Sequence, residues 1–94
     1  MTNVHERSLR MWGKEAQMMQ AVEEMSELIK ELMKNINRKR DNLDDIIEET
    51  ADVEVMLEHI KYCYDIEKQV ADVKVKKIEK LTKKLEEWEA RSHE

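Results

Sequence analysis

Two pairs of acids are placed where they could do chemistry: Glu24 and Glu27 in Glu24-Met25-Ser26-Glu27, and Glu49 and Asp52 in Glu49-Thr50-Ala51-Asp52. Helical residues three apart share a face, with Cβ atoms about 5–6 Å apart. Two such pairs on antiparallel helices can therefore converge four carboxylates on one site. Carboxylate oxygens are the hard donors that Mg²⁺ or Mn²⁺ takes, and four negative charges gather only where divalent cations or protons neutralise them. The spacing alone is not distinctive, since five acid-x-x-acid pairs occur among 22 acids, as many as chance placement gives. Asp41/Asp44, Asp45/Glu48 and Glu86/Glu89 fall in a helix start or a tail and read as solvated surface. Position sets the second pair apart. On a helical wheel Glu49 projects among Ile46, Val53, Met56 and Ile60, with Asp52 on the border of that apolar sector. Glu24 flanks Ala21 and Leu28 at the edge of an apolar arc, and Glu27 points further away.

Lys74 is the second charge in the wrong place, in line with Ile78, Leu81 and Leu85, with Lys77 one step to the side. A buried unpaired charge is costly, so each of these groups needs a partner, a metal ion or a wet cleft. An ion pair of Glu49 with Lys74 is the competing account of the same placement.

The elements that carry these residues are helices. The chain has no Pro and one Gly, and Glu, Lys, Leu, Met and Ala dominate it, so little interrupts long helices. Met18, Val22, Met25, Ile29, Leu32 and Ile36 step 4, 3, 4, 3, 4, a helical seam that predicts a helix over about 13–36 behind an irregular N-terminal lead. Ile46, Val53, Leu57, Ile60 and Tyr64 predict a second over 43–62, with Asp41 or Asn42 as N-cap. A third follows from Asp65 as cap, carried by Ile66, Val70, Ile78, Leu81, Leu85 and Trp88. The joins are Asn35 to Asn42 and the short Cys63 to Asp65 corner, and short connections make consecutive helices antiparallel neighbours. The expected fold is all-α, an antiparallel bundle of three main helices plus the lead, in one domain spanning 1–94. A chain of 94 residues buries only about 60–65% of the surface it exposes when unfolded, so completion by oligomerisation is expected.

Charge is segregated. Residues 41–58 carry eight acids and no base, and residues 68–84 carry seven Lys against Asp72 and Glu79. The net charge of −5 argues against a protein that coats duplex nucleic acid, and one glycine excludes a glycine-rich phosphate loop. No apolar run approaches the roughly 18 residues of a membrane span, and residues 1–20 lack a secretory signal. The expectation is a soluble cytoplasmic protein with no membrane or nucleic-acid partner. Cys63, the single cysteine, allows no internal disulfide and no cysteine-based zinc cage, which suits a reducing compartment.

Gly13-Lys14-Glu15-Ala16-Gln17, then Glu23-Glu24-Met25-Ser26-Glu27-Leu28, then Glu48-Glu49-Thr50-Ala51-Asp52-Val53 followed by Met56-Leu57-Glu58, resemble the MazG-like nucleotide pyrophosphohydrolases of the all-α nucleoside triphosphate pyrophosphatase superfamily. Their mark is E-x-x-E, an interval, then E-x-x-D; here the interval is residues 28–48, and the resemblance covers about residues 12–85. It implies Mg²⁺-dependent hydrolysis of a nucleoside triphosphate between the α and β phosphates, giving the monophosphate and pyrophosphate, with Mn²⁺ as a possible substitute. It also implies that Glu24, Glu27, Glu49 and Asp52 are the metal ligands and catalytic set, that Lys74 and Lys77 hold the outer phosphates, and that the chain works as a homodimer or homotetramer with sites near subunit interfaces. Either Glu23 or Glu27 is the carboxylate suited to take a proton from the attacking water. Thr50 and Glu54 depart from the pattern, standing where hydrophobic or small residues are usual.

Trp12, Gln17 and Tyr64 are stacking or hydrogen-bonding candidates for a base, though each also suits packing. His59 lies one turn beyond Met56 and reads as structural, because no Glu-x-x-His accompanies it. His5 and His93 read as exposed ends, Cys63 as a small buried apolar residue, and the seven Met as core filler. Ser8, Ser26 and Ser92 have no strand-to-helix elbow. Two other classes compete: a coiled-coil adaptor using the 4, 3 seams, and a nucleic-acid module built on Lys68 to Lys84, which lacks Arg and interleaved aromatics.

Overall fold

The computed structural model describes residues 3–38 and 41–92, and every regular element in it is an α-helix. Helix α1 spans Val4–Trp12, α2 Lys14–Arg38, α3 Leu43–Tyr64 and α4 Glu67–Ser92. The all-α class follows the composition; no strand occurs among the described residues.

The N-terminal lead, expected to be irregular, is helical. Asn3 caps it by accepting a hydrogen bond from the His5 backbone N–H at 2.8 Å, and Arg10 donates to Glu6 one turn back at 2.7 Å. Such local pairs suit a nine-residue helix with little tertiary support. Gly13 closes it at φ +85°, its N–H donating to the Leu9 carbonyl at 2.9 Å. Its own carbonyl accepts from Gln17 N–H at 3.2 Å and so opens α2. A side chain rarely tolerates that backbone, which makes glycine the residue for this corner.

Helices α2 and α3 are the packed unit, and they run antiparallel. Asn42 bonds to Glu31 near the connection, Glu24 meets Glu49 and Asp52 midway, and Lys14 meets Tyr64 at the far end, so residue numbers rise along one helix as they fall along the other. The join is tied by Asn42, which precedes α3 but makes no side-chain capping bond to it. Its amide donates instead to the Glu31 carbonyl and carboxylate at 2.9 and 3.0 Å, while Asn35 donates to its Oδ1 at 3.2 Å. Asn42 chiefly, with Lys34 at 3.1 Å, holds the Glu31 carboxyl below its usual value. Part of this join, residues 39 and 40, lies outside the described residues, as does His93.

The α3–α4 corner differs from expectation. Asp65 is not the N-cap of the last helix but the residue that terminates α3, in the left-handed conformation at φ 53° and ψ 49°. Its N–H donates to Tyr62 and that of Ile66 to Lys61, at 3.1 and 3.0 Å, the paired pattern that ends helices with a left-handed residue. Ile66 then starts α4 by accepting from Val70 N–H at 2.9 Å.

Beyond this corner α4 does not fold back. It touches α3 but neither α2 nor α1, and every residue from Ala71 to Ser92 is exposed. The described residues bury little apolar surface anywhere. Ala21, at 2% exposure, is the one buried hydrophobic residue, while Val22, Ile29 and Ile36 of the α2 seam remain open.

Candidate functional site

Midway along the α2/α3 pair, Glu24, Glu49 and Asp52 each offer a carboxylate oxygen within 4.8 Å of the other two, and all three are half-buried. The antiparallel register produces this convergence, because Glu24 of α2 faces the turn of α3 that presents Glu49 and, three residues later, Asp52. The neighbouring Ile46, Val53, Met56 and Ile60 are also half-buried, so Glu49 stands in the apolar sector that the wheel places it in.

The electrostatics of the trio are unbalanced. Glu49 Oε2 is buried without a hydrogen-bond partner. Burial first, then the charges of Asp52 and Glu24, push its carboxyl above the usual 4.5. Glu24 has one local support, a 2.8 Å hydrogen bond donated by Gln20. A buried, unpaired carboxylate oxygen facing two more carboxylates is a donor set that fits a hard divalent cation.

Of the residues singled out from the sequence, three meet here and three do not. Glu27 is exposed and outside the trio, although its charge is felt at Glu49. Lys74 and Lys77 lie on the exposed α4, which does not touch α2. The ion pair of Glu49 with Lys74 does not form among the described residues, and Glu49 Oε2 is left open. Glu23, the other candidate proton acceptor, is exposed on α2.

Among the base-recognition candidates, Gln17 is buried and Trp12 exposed, and the Lys14 ammonium lies 3.9 Å over the Tyr64 ring centroid. Tyr64 therefore already has a cation on one face. Helix α4 carries a shallow groove of about 410 Å³ lined by Ile66, Val73 and Lys77 among others, and another of about 420 Å³ lined by Lys61, Val70, Lys74 and Ile78 among others. They lie away from the carboxylates in the sense that none of the three lines either groove.

The sequence reading missed one cluster. His59 is 2% exposed, and its Nδ1 lies 3.0 Å from Nδ1 of His5, which is not an exposed end but half-buried against it. Only the helical character of residues 4–12, supported by the Asn3 cap and the Glu6/Arg10 pair, could have pointed to that contact. No helix among the described residues is long and apolar enough to cross a membrane. Comparison with family models, curated proteins and solved structures gives no significant match for this chain.

Proposed function

We propose that this chain is a Mg²⁺-dependent nucleoside triphosphate pyrophosphohydrolase, cleaving between the α and β phosphates. The observation that carries the reading is the buried, unpartnered Glu49 Oε2 beside the Glu24 and Asp52 carboxylates. The substrate class and the bond cleaved come from the motif resemblance, and the chemistry of the trio agrees with it.

Glu24, Glu49 and Asp52 would hold the cation. When bound, Mg²⁺ supplies positive charge against phosphate oxygens and lowers the pKa of an attacking water. The protein's own part is to keep three carboxylates in register on two helices and to surround Glu49 with apolar side chains, which strengthens its pull on a cation. Glu27, exposed one turn along α2 with its charge felt at Glu49, would join the ligand set as substrate enters or accept the proton of the water.

Lys74 and Lys77 serve the outer phosphates from a second copy of the chain. Their helix does not reach its own α2, and a single buried hydrophobic residue among those described is too little core for a lone protomer. A net-negative protein needs a local cation patch to admit a polyanion, and the lysine-rich α4 is the element that supplies one. The working unit is accordingly a homodimer or homotetramer.

The open seam of α4 also favours a second reading, a helical interaction protein without catalysis. One experiment separates the two: incubation with a panel of canonical and modified triphosphates and Mg²⁺ or Mn²⁺, scoring pyrophosphate against orthophosphate. Metal-dependent pyrophosphate release supports the enzyme; no turnover with any triphosphate overturns it.

A further inference from the structure

Helix α1 lies against α2 and α3, and its two ends join the rest of the molecule in different ways. Its C-terminal end turns on Gly13, at φ +85°, with no side chain of its own and open space within 4 Å of where a Cβ would stand. Its N-terminal end meets α3 through the imidazole of His5, whose Nδ1 lies 3.0 Å from that of His59, with ring centroids 5.1 Å apart. Between these points Ser8 and Leu9 are half-buried, no residue of α1 is fully buried, and Met11 and Trp12 are open to solvent.

The imidazole pair sits in a chain of polar groups. Cys63 Sγ lies 3.6 Å from His59 Nε2, and Glu58 Oε2 lies 3.8 Å from His5 Nε2. With both rings neutral, one arrangement satisfies every link: the Cys63 thiol donates to His59 Nε2, His59 Nδ1–H donates to His5 Nδ1, and His5 Nε2–H faces the Glu58 carboxylate. Burial pushes the Cys63 thiol up, which keeps it a donor. One added proton is accommodated by reversing the links, so that His5 becomes the imidazolium and donates to His59 Nδ1, while His59 Nε2–H turns toward Cys63. A second proton has no such solution. It sets Nδ1–H against Nδ1–H across 3.0 Å and two like charges in one half-buried contact.

We infer that α1 is a proton-released strap, hinged at Gly13 and latched by the His5–His59 contact, which holds with at most one proton on the pair and opens with two. The charged groups around the latch are few. From α3 it faces Glu58 and Cys63, with the Tyr62 ring 6.2 Å from His5. From α2 the facing charge is Lys14, felt at Cys63 and seated over Tyr64. On α1 itself Glu6 and Arg10 engage each other, and no hydrogen bond or ion pair from α4 reaches the cluster among the described residues. Glu58 alone is one anion against two imidazolium charges, and it is itself exposed.

The direction of the effect follows from His59. Burial, and then His5, hold its imidazole below the ordinary 6.5. The docked form therefore binds fewer protons than the released one below that pH, and docking weakens as the solution is acidified. The strap is a property of α1 and α3 that does not depend on the chemistry proposed for the carboxylates.

Hydrogen–deuterium exchange of the full chain, read by mass spectrometry at about pH 5 and about pH 7.5 after correction for intrinsic exchange, tests this. Peptides from α1 are expected to lose protection on acidification by about tenfold or more relative to those from α2 and α3. In His5→Gln, α1 is expected to exchange at the same corrected rate at both pH values. Equal α1 protection at the two pH values in the native chain overturns the proposal. So does a pH response in His5→Gln equal to that of the native chain, or a loss of protection spread evenly over α1, α2 and α3. His5 is used rather than the buried His59, so that the variant keeps the α3 core residue.

Discussion

The α2/α3 pair and α4 are built from the same kind of sequence and have opposite fates. Both carry an apolar seam at 4, 3 spacing with charges set into it, Glu49 in one and Lys74 in the other. On α3 the seam has a partner, so Ile46, Val53, Met56 and Ile60 are half-buried and Glu49 is enclosed with them. On α4 it has none among the described residues, and Ile78 and Trp88 are each 60% exposed. Periodicity reports that a face is apolar; it does not report which surface covers it, or whether that surface belongs to the same molecule. The same placement of a charge thus gives a half-buried carboxylate with an unpartnered oxygen on one helix and a solvated lysine on the other.

The comparison breaks most sharply at the carboxylates. Glu49→Gln or Asp52→Asn is expected to lower the proposed hydrolysis by about 100-fold or more, since each would remove a charged ligand of the proposed cation, with helicity by circular dichroism unchanged. Native turnover in both variants would return the trio to the surface-acid class. Next is the seam of α4. Leu81→Lys with Leu85→Lys is expected to shift the assembly toward monomer in light scattering and to take activity down with it, whereas a monomeric double variant with full activity would show that α4 contributes nothing in trans. Lys74→Ala probes the same helix more gently, with an expected rise in KM of about tenfold and little change in kcat, as loss of one charge-assisted phosphate contact would give.

A smaller effect sharpens the electrostatic half of the contrast. The folded state raises the Glu49 carboxyl above 4.5, so without metal it favours the protonated form, and charging that group costs stability as pH rises through the window above 4.5. Glu49→Gln is therefore expected to melt above the native chain at about pH 7.5 without divalent cations, by a margin that shrinks toward about pH 4.5. Adding Mg²⁺ should raise the Tm of the native chain and leave the variant unmoved. The smallest change is at the corner between the two regions: Asp65→Gly is expected to stabilise by about 1 kcal/mol in denaturant titration, because glycine adopts the left-handed conformation without a Cβ penalty.

Much of this architecture was legible in the sequence. The seams place α2 and α3 within two residues of their observed ends, and the wheel position of Glu49, rather than the spacing of its motif, singles out the carboxylate whose oxygen is buried without a partner. The convergence of Glu24 with Glu49 and Asp52 follows from the short join and the antiparallel register it imposes. Other features were not legible. Glu27 shares a motif with Glu24 but is exposed while Glu24 faces α3; the same three-residue step keeps Asp52 beside Glu49, so spacing alone does not say which member of a pair meets the partner helix. Asp65 carries the composition of a helix start and occupies a helix end, since Asp suits both positions and only the backbone conformation decides. His5 was hidden because its partner is 54 residues away, a contact that no local pattern encodes.

The left-handed corner at Asp65 has a mechanical consequence. The 26 residues of α4, at about 1.5 Å each, form a rod of about 39 Å anchored at one end. A reorientation of about 10° at the corner would sweep its tip through about 7 Å while moving Lys74 and Lys77, near the pivot, by only about 2–3 Å. The rod therefore acts as a lever arm with a short inner segment and a long outer one: large adjustments at the Trp88 end translate into fine adjustments where the lysines are carried.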